Sequence, residues 1–180
     1  MNSAALILVD VQKGFDFPVW GERNNADAEE RISTLLGKWR KDGHPVIHIQ
    51  HSSKEVDSPL SPDSSGFDFK PEAMPRAGEP IFVKHVNSAF IGTALEKYLR
   101  DSEISDLVFV GLTTNHCVST SCRMAANLGF NVWVVSDATA TFAREGFDGQ
   151  LYSAQQIHDI SLANLHGEFA QVVTTSDLVD

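Results

Sequence analysis

Cysteine is scarce in this chain of 180 residues: Cys117 and Cys122 are the only two, so a disulfide-stapled scaffold is excluded. They lie five residues apart in a segment of helical character. Five residues of helix turn through about 500°, which points the thiols to different faces, and no bridge between them is expected. The spacing is also not the C-x-x-C of a thiol oxidoreductase or a zinc knuckle. Basic charge is short as well. Lys and Arg number 14 against 24 Asp and Glu, a formal net charge of −10, with no basic run. Such a chain repels phosphate backbones and anionic headgroups, so neither nucleic acid nor a membrane surface is expected as a partner. Long apolar runs are missing too: a stretch such as 4–9 falls far short of the about 20 residues that span a bilayer. No basic segment, apolar core and small-residue cleavage site open the chain, because the apolar 6–9 runs straight into Asp10. The expectation is a cytoplasmic protein.

What is present is a globular mix, 42% hydrophobic and 21% charged, enough for one domain over residues 1–180. Short β-branched runs alternate with amphipathic stretches, the pattern of a parallel α/β sheet covered by helices on both faces. Strands are expected at 4–9, 45–50, 81–83, 107–110, 132–135 and 170–174. A first helix is expected from about Asn25 to Lys41, with Ile32, Leu35, Leu36 and Trp39 on one face and Gly43 beyond its end. Capping boxes at Thr93/Glu96 and Ser153/Gln156 predict helices to about Ser102 and Leu165. Another helix runs from His116 or Cys117 through Leu128 and is closed by Gly129. Residues 51–79, rich in Ser, Pro, Gly and Asp, read as a long loop serving as a lid or an oligomer contact.

In a sheet of this kind the loops at the carboxyl ends of the strands form the ligand crevice. The first strand ends at Asp10, the third at Lys84, and the fourth runs into Gly111-Leu112-Thr113-Thr114-Asn115-His116-Cys117. A carboxylate, an ammonium and a thiol thus gather at one end. A thiol is a poor nucleophile until deprotonated, and a nearby carboxylate can take its proton. A helix N-terminus and Lys84 would both favour a thiolate at Cys117, and free amides there can hold an oxyanion. Cys122, beside Met124 and Ala125, reads as core. Asp137 at the end of the fifth strand is expected to brace the turn before Ala138, and Arg23 to form a surface ion pair. A nucleotide-binding Rossmann module is disfavoured, since no G-x-G-x-x-G follows the first strand.

Four segments in order, Asp10-Val11-Gln12-Lys13-Gly14-Phe15, Lys84-His85-Val86-Asn87-Ser88-Ala89-Phe90, Gly111 through Val118, and Asp137-Ala138, resemble the isochorismatase-like cysteine hydrolases. The resemblance spans nearly the whole chain. It implies a three-layer α/β/α sandwich around a six-stranded, mainly parallel sheet. It makes Cys117 the nucleophile, Asp10 the general base and Lys84 their support. It also places a cis peptide at Leu112-Thr113 and an oxyanion hole at the amides of Thr113 and Cys117. The implied reaction is acyl transfer from a small-molecule amide, without a cofactor, in a homo-oligomer. A vinyl-ether hydrolase and a binding protein that lost turnover on the same fold stand as alternatives. Nicotinamidases of this family carry a metal site built on Asp-x-His after the second strand. Here the stretch is His48-Ile49-Gln50-His51-Ser52. Strand alternation sends His48 and His51 to opposite faces, and divalent metals want three or four ligands, so no catalytic metal is expected and nicotinamide is disfavoured. Phe15, Phe17 and Trp20 after Asp10, Asn87 and Phe90 after Lys84, and His116 before Cys117 are the candidates for shaping the substrate pocket.

Overall fold

The computed structural model describes residues 4–179; the termini of the expected 1–180 domain lie outside them. The elements are β1 (Ala5–Val9), α1 (Ala28–Asp42), β2 (Val46–His51), β3 (Ile81–Lys84), α2 (Leu95–Asp101), β4 (Asp106–Leu112), α3 (Ser119–Asn127), β5 (Asn131–Ala140), β6 (Arg144–Glu145), β7 (Leu151–Tyr152), α4 (Ala154–Leu165), β8 (Gln171–Val173) and α5 (Ser176–Val179). Six strands form one sheet in the order β3-β2-β1-β4-β5-β8, every pairing parallel. β6 and β7 form a short antiparallel hairpin that the sequence pattern did not announce.

β1 reads as an unbroken apolar run because both of its faces are covered. Its residues alternate between layers, as strand geometry requires. Leu6 and Leu8 pack with Ile32, Leu35, Leu36 and Trp39 of α1 and with Leu178 of α5. Ala5, Ile7 and Val9 pack with Leu95, Leu99, Cys122, Ala125, Leu162 and Leu165 from α2, α3 and α4. The result is the α/β/α sandwich, with Cys122 in the core. Parallel pairing brings the carboxyl ends of β1, β2, β3 and β4 to one edge: Val9 pairs with Ile49 and Gly111, and His51 pairs with Lys84.

Local hydrogen bonding moved several boundaries. α1 starts at Ala28 because Asn25 adopts a left-handed backbone (φ 42°) and donates its amide to the carbonyls of Ser136 and Thr139, at 2.9 and 2.7 Å. The Thr93/Glu96 capping box does not form. Thr93 donates to the Ala89 carbonyl at 2.6 Å and its hydroxyl oxygen accepts from the Leu95 N–H at 3.3 Å rather than from Glu96, whose carboxylate accepts from Arg100 at 2.9 Å. The Ser153/Gln156 box does form, through both of its bonds. β5 runs past Val135 to Ala140 because a bulge absorbs extra residues between its Phe109 and Gly111 pairings. Asp137 lies in that bulge and accepts from the backbone N–H and hydroxyl of Thr175, at 2.8 and 2.9 Å. It therefore braces the segment after β8, not the turn before Ala138.

The 51–79 loop is stapled along the loop that follows β1. Lys13 donates its backbone N–H to Asp68 and Lys70 donates to Val11, at 2.9 and 3.0 Å. Buried Lys70 also reaches the carboxylates of Glu29 and Asp16. The two loops cross at backbone contact: a Cβ on Gly66 would lie 2.6 Å from the Cα of Gly14. At the far end of this loop Glu79 accepts two bonds from Arg40, at 2.7 and 2.8 Å, and lies 2.8 Å from Nε2 of His48. Burial acts against this carboxylate, yet Arg40, the Arg76 amide and His48 together hold its pKa down to about 2. Among the described residues, no helix is long and apolar enough to cross a membrane.

Two outcomes follow from this packing. Gly111 has φ 115°, and a Cβ there would sit 2.0 Å from the Val9 carbonyl oxygen. Gly111→Ala is expected to lower stability by about 3 kcal/mol or more, read by urea denaturation. Glu79 has a folded pKa below its ordinary 4.5, so its contribution is present above that value and is lost as pH falls toward 2. Glu79→Gln should therefore be clearly less stable than the parent at pH 7, and the gap should close on acidification through that window.

Candidate active site

Three strand ends and one turn build the site. Asp10 leaves β1 in a left-handed conformation (φ 52°), donating its backbone N–H to the Ile49 carbonyl at 3.0 Å while its own carbonyl accepts from Gln12 at 2.8 Å. This turn aims the side chain beneath the neighbouring strand ends, fully buried. Lys84, the last residue of β3, is 1% exposed. Cys117 sits in a π-helical turn, Thr114–Val118, that links β4 to α3, and is 8% exposed.

The Lys84 ammonium is the hub. Nζ lies 2.7 Å from Asp10 Oδ2, 3.2 Å from Cys117 Sγ and 2.8 Å from His51 Nδ1. The contacts with His51 and Cys117 are hydrogen bonds and that with Asp10 Oδ2 is an ion pair. Burying a carboxylate and an ammonium is costly unless they are paired, and this pairing offsets that cost. Asp10 Oδ1 is buried and has no hydrogen-bond partner among the described residues. The carboxylate, the His51 ring nitrogen and the thiol sulfur lie within 4.8 Å of one another. Asp10 thus presents a buried, open acceptor beside the thiol.

Electrostatics at the trio differ from the sequence expectation. Burial pushes the Cys117 thiol well above its ordinary value, the Asp10 carboxylate pushes it further, and Lys84 opposes both without prevailing. Cys117 therefore rests as a neutral thiol and not as a standing thiolate. The helix end, the lysine and the nearby carboxylate could be read in the sequence, but the depth of burial could not. Burial also acts against the Lys84 charge, yet Asp10, and then Cys117, hold it above the usual lysine range. His51 is kept below its ordinary value by burial and by Lys84, so it is neutral near pH 7.

His51 is the member that sequence reasoning missed as part of the trio's surroundings. It had been weighed only as a metal ligand. Its signal was the one that identified Asp10 and Lys84, a polar residue at the carboxyl end of a strand. His48 points away from the site to Glu79, stacking edge-on against Phe69 with ring centroids 5.7 Å apart. Asp10, His51 and Cys117 could in principle offer three ligand atoms. The Lys84 ammonium, however, sits where they converge, so the residues present do not fit a divalent cation there.

The other predicted residues divide. The Leu112-Thr113 peptide bond is cis. The Thr113 carbonyl accepts from the amides of His116 and Val118, at 3.1 and 3.2 Å, and its own N–H donates to no acceptor among the described residues. Thr113, His116 and Trp20 line a cleft of about 370 Å³ together with Asn115, Phe142 and Arg144. Trp20 stacks on Phe142 at 5.8 Å and donates its indole N–H to the Gly14 carbonyl at 2.7 Å. Burial and Arg144 keep His116 below its ordinary pKa. Asn87 Oδ1 lies 3.9 Å from Cys117 Sγ. Phe15 is buried under Trp20 and Phe142, and Phe90 is buried against Phe130 at 6.0 Å. Both pack beneath the site and do not line it. Phe17 faces a separate groove beside Val56 and Pro59.

Arg23 is no surface pair: it binds Glu29 through two bonds of 2.9 and 2.6 Å, with both side chains largely buried, and Glu29 also meets Lys70. The groove they line, about 750 Å³, contains none of the trio; the cleft of about 370 Å³ contains none either, but Thr113 and His116 on its wall belong to the turn that carries Cys117.

Comparison with known proteins identifies the family. Residues 4–177 match the isochorismatase domain family. The uncharacterized isochorismatase family protein YrdC of Bacillus subtilis (strain 168) is 51% identical over 176 residues, covering 98% of this chain and 94% of its own. A solved structure of an isochorismatase family protein from Chromobacterium violaceum superposes with a TM-score of 0.95 at 43% identity, over 98% of this chain and 92% of that one. More distantly, Nicotinamidase 3 of Arabidopsis thaliana is 26% identical over 97% of this chain and 86% of its own length. With the sandwich fold, the strand-end trio and these matches together, the chain belongs to the isochorismatase family of hydrolases.

Proposed function

We propose that the protein cleaves the C–N bond of a small amide through a thioester on Cys117. The observation that carries this reading is the Lys84 ammonium, held between a buried carboxylate and the thiol at 2.7 and 3.2 Å, while Asp10 Oδ1 stays open as an acceptor. A neutral thiol beside a base is suited to losing its proton only as it attacks. The amidase activity named for Nicotinamidase 3 supports C–N cleavage as the reaction class. The residues here favour an amide other than nicotinamide, since among the described residues the one group of three donor side chains, Asp10, His51 and Cys117, converges on the Lys84 ammonium and does not fit a metal ion.

In this mechanism Cys117 Sγ attacks the carbonyl carbon as its proton passes to Asp10. The oxygen gains the displaced electron pair and is held by the amides of Thr113 and Cys117, donors aimed at a charge that develops only in the transition state. The tetrahedral intermediate collapses, the C–N bond breaks, and Asp10 returns the proton to the departing nitrogen, which leaves as ammonia or an amine. Water then gives a proton to Asp10 and attacks the thioester carbon. The C–S bond breaks, the proton returns to sulfur, and a carboxylic acid leaves. Throughout, Lys84 stabilises whichever of the carboxylate and the sulfur carries the negative charge. The aromatic wall of Trp20 and Phe142 and the polar groups of Asn115, His116 and Arg144 select a small substrate.

Turnover is tested by ammonia release from a panel of small amides. Cys117→Ala is expected to lower kcat by about 10³-fold or more, and Cys122→Ala to leave it unchanged. An undiminished Cys117→Ala enzyme would transfer the assignment to chemistry that needs no thiol, such as vinyl-ether hydrolysis. Asp10→Asn gives a second, opposed pair of outcomes. It removes an anion that raises the thiol pKa and leaves Lys84 beside the sulfur. Iodoacetamide should therefore alkylate Cys117 at lower pH than in the parent, although hydrolysis is lost. Peptide mass spectrometry at Cys117 across pH 6–10 (about the range in which thiols titrate) reads the first outcome.

A further inference from the structure

The Lys84 ammonium meets three different acceptors: a carboxylate at 2.7 Å, a thiol at 3.2 Å and the neutral imidazole of His51 at 2.8 Å. These attractions are unequal. A hydrogen bond between two charged groups is about twice as strong as a neutral one, so an ammonium with only the first two acceptors would turn toward Asp10 and draw away from the weak sulfur acceptor. The third acceptor prevents that turn. His51 can oppose it because its own backbone is clamped. Its N–H donates to Gln12 Oε1 at 2.8 Å, and its carbonyl accepts from Gln12 Nε2 at 3.1 Å. Gln12 is fully buried, and its Nε2 also donates to the Phe67 carbonyl at 2.9 Å. The loop that follows β1 and the 51–79 loop therefore meet on one amide side chain, which fixes the strand end carrying the imidazole.

The titratable groups that act on His51 are Lys84, Asp10 and His85. Asp10 Oδ2 is 4.0 Å from Nδ1, outside direct bonding range, so the ring serves the ammonium and not the carboxylate. With the ring neutral and Nδ1 facing the ammonium, the tautomer that accepts from Lys84 is the one protonated on Nε2.

We propose that His51 is a positioning residue, which by accepting from Lys84 holds the ammonium against the Cys117 thiol. Its bearing on turnover rests on the proposed role of Cys117, so its test is chosen to need no substrate. The probe is iodoacetamide, with the rate at Cys117 followed across pH by peptide mass spectrometry in His51→Leu and His51→Asn. Leucine fills the space without an acceptor, whereas the asparagine side-chain oxygen can take the place of Nδ1. At pH 8 the leucine variant should be alkylated about tenfold more slowly, equivalent to one pKa unit upward. The asparagine variant should stay close to the parent. A leucine variant that reacts like the parent, or an asparagine variant as slow as leucine, overturns the proposal. Nitrogen-15 NMR of the unmodified protein, with the His51 signal assigned from its absence in His51→Asn, decides the matter even where His51→Leu does not fold. A neutral ring protonated on Nε2 supports the assignment; an Nδ1-protonated ring or an imidazolium at pH 7 refutes it. Absence of hydrolysis of every amide tried would overturn the reaction assigned above and leave the alkylation and NMR results intact.

Discussion

The ion pair between Lys84 and Asp10 is the constraint around which the rest is arranged. Two opposite charges with almost no exposure cannot stand apart in an interior of low polarity. Their 2.7 Å contact requires the ends of β1 and β3 to be brought together although β2 lies between them. The parallel register of β2 with both neighbours and the left-handed turn at Asp10 satisfy that requirement. The thiol joins from the far side of β1, carried by the turn after β4. Each of these elements is backed by the apolar layers, which explains why residues so polar can sit where they do.

A consequence for the chemistry is that the charge arrangement at rest is already balanced. The ammonium and carboxylate neutralise each other, and the sulfur keeps its proton. In the mechanism proposed above, attack shifts one proton over a short distance, so the negative charge would pass from an oxygen to a sulfur and then to the substrate oxygen within reach of Lys84. Little reorganisation of the surroundings is then needed, which is the advantage of preset dipoles and charges.

Much of this was legible in the sequence. The continuous apolar β1, the amphipathic 32-35-36-39 face of α1 and the Ser153/Gln156 cap each follow from local chemistry, and each stands in the structure. The strand-end rule placed Asp10, Lys84 and Cys117 at one edge. What escaped were matters of long-range partnership. Thr93 forms no reciprocal box with Glu96, bonding Ala89 and Leu95 instead, Asp137 serves Thr175, 38 residues away, and Arg23 is buried against Glu29. Phe15 and Phe90 look the same in sequence as aromatics that touch substrate, and only three-dimensional packing separates them. The thiol's resting state was missed for a related reason: burial depth is a property of the whole fold.

The trio and its histidine are drawn from positions 10, 51, 84 and 117, three at the ends of β1, β2 and β3 and one in the turn after β4. Contacts of such sequence separation form late, after loop closure has been achieved. No contiguous fragment shorter than the stretch from β1 to α3 can contain the assembly. A chain that ends before the turn after β4, or in which β1 to β4 have not paired, therefore lacks the cluster, and Cys117 is then a thiol without its carboxylate, ammonium and imidazole neighbours.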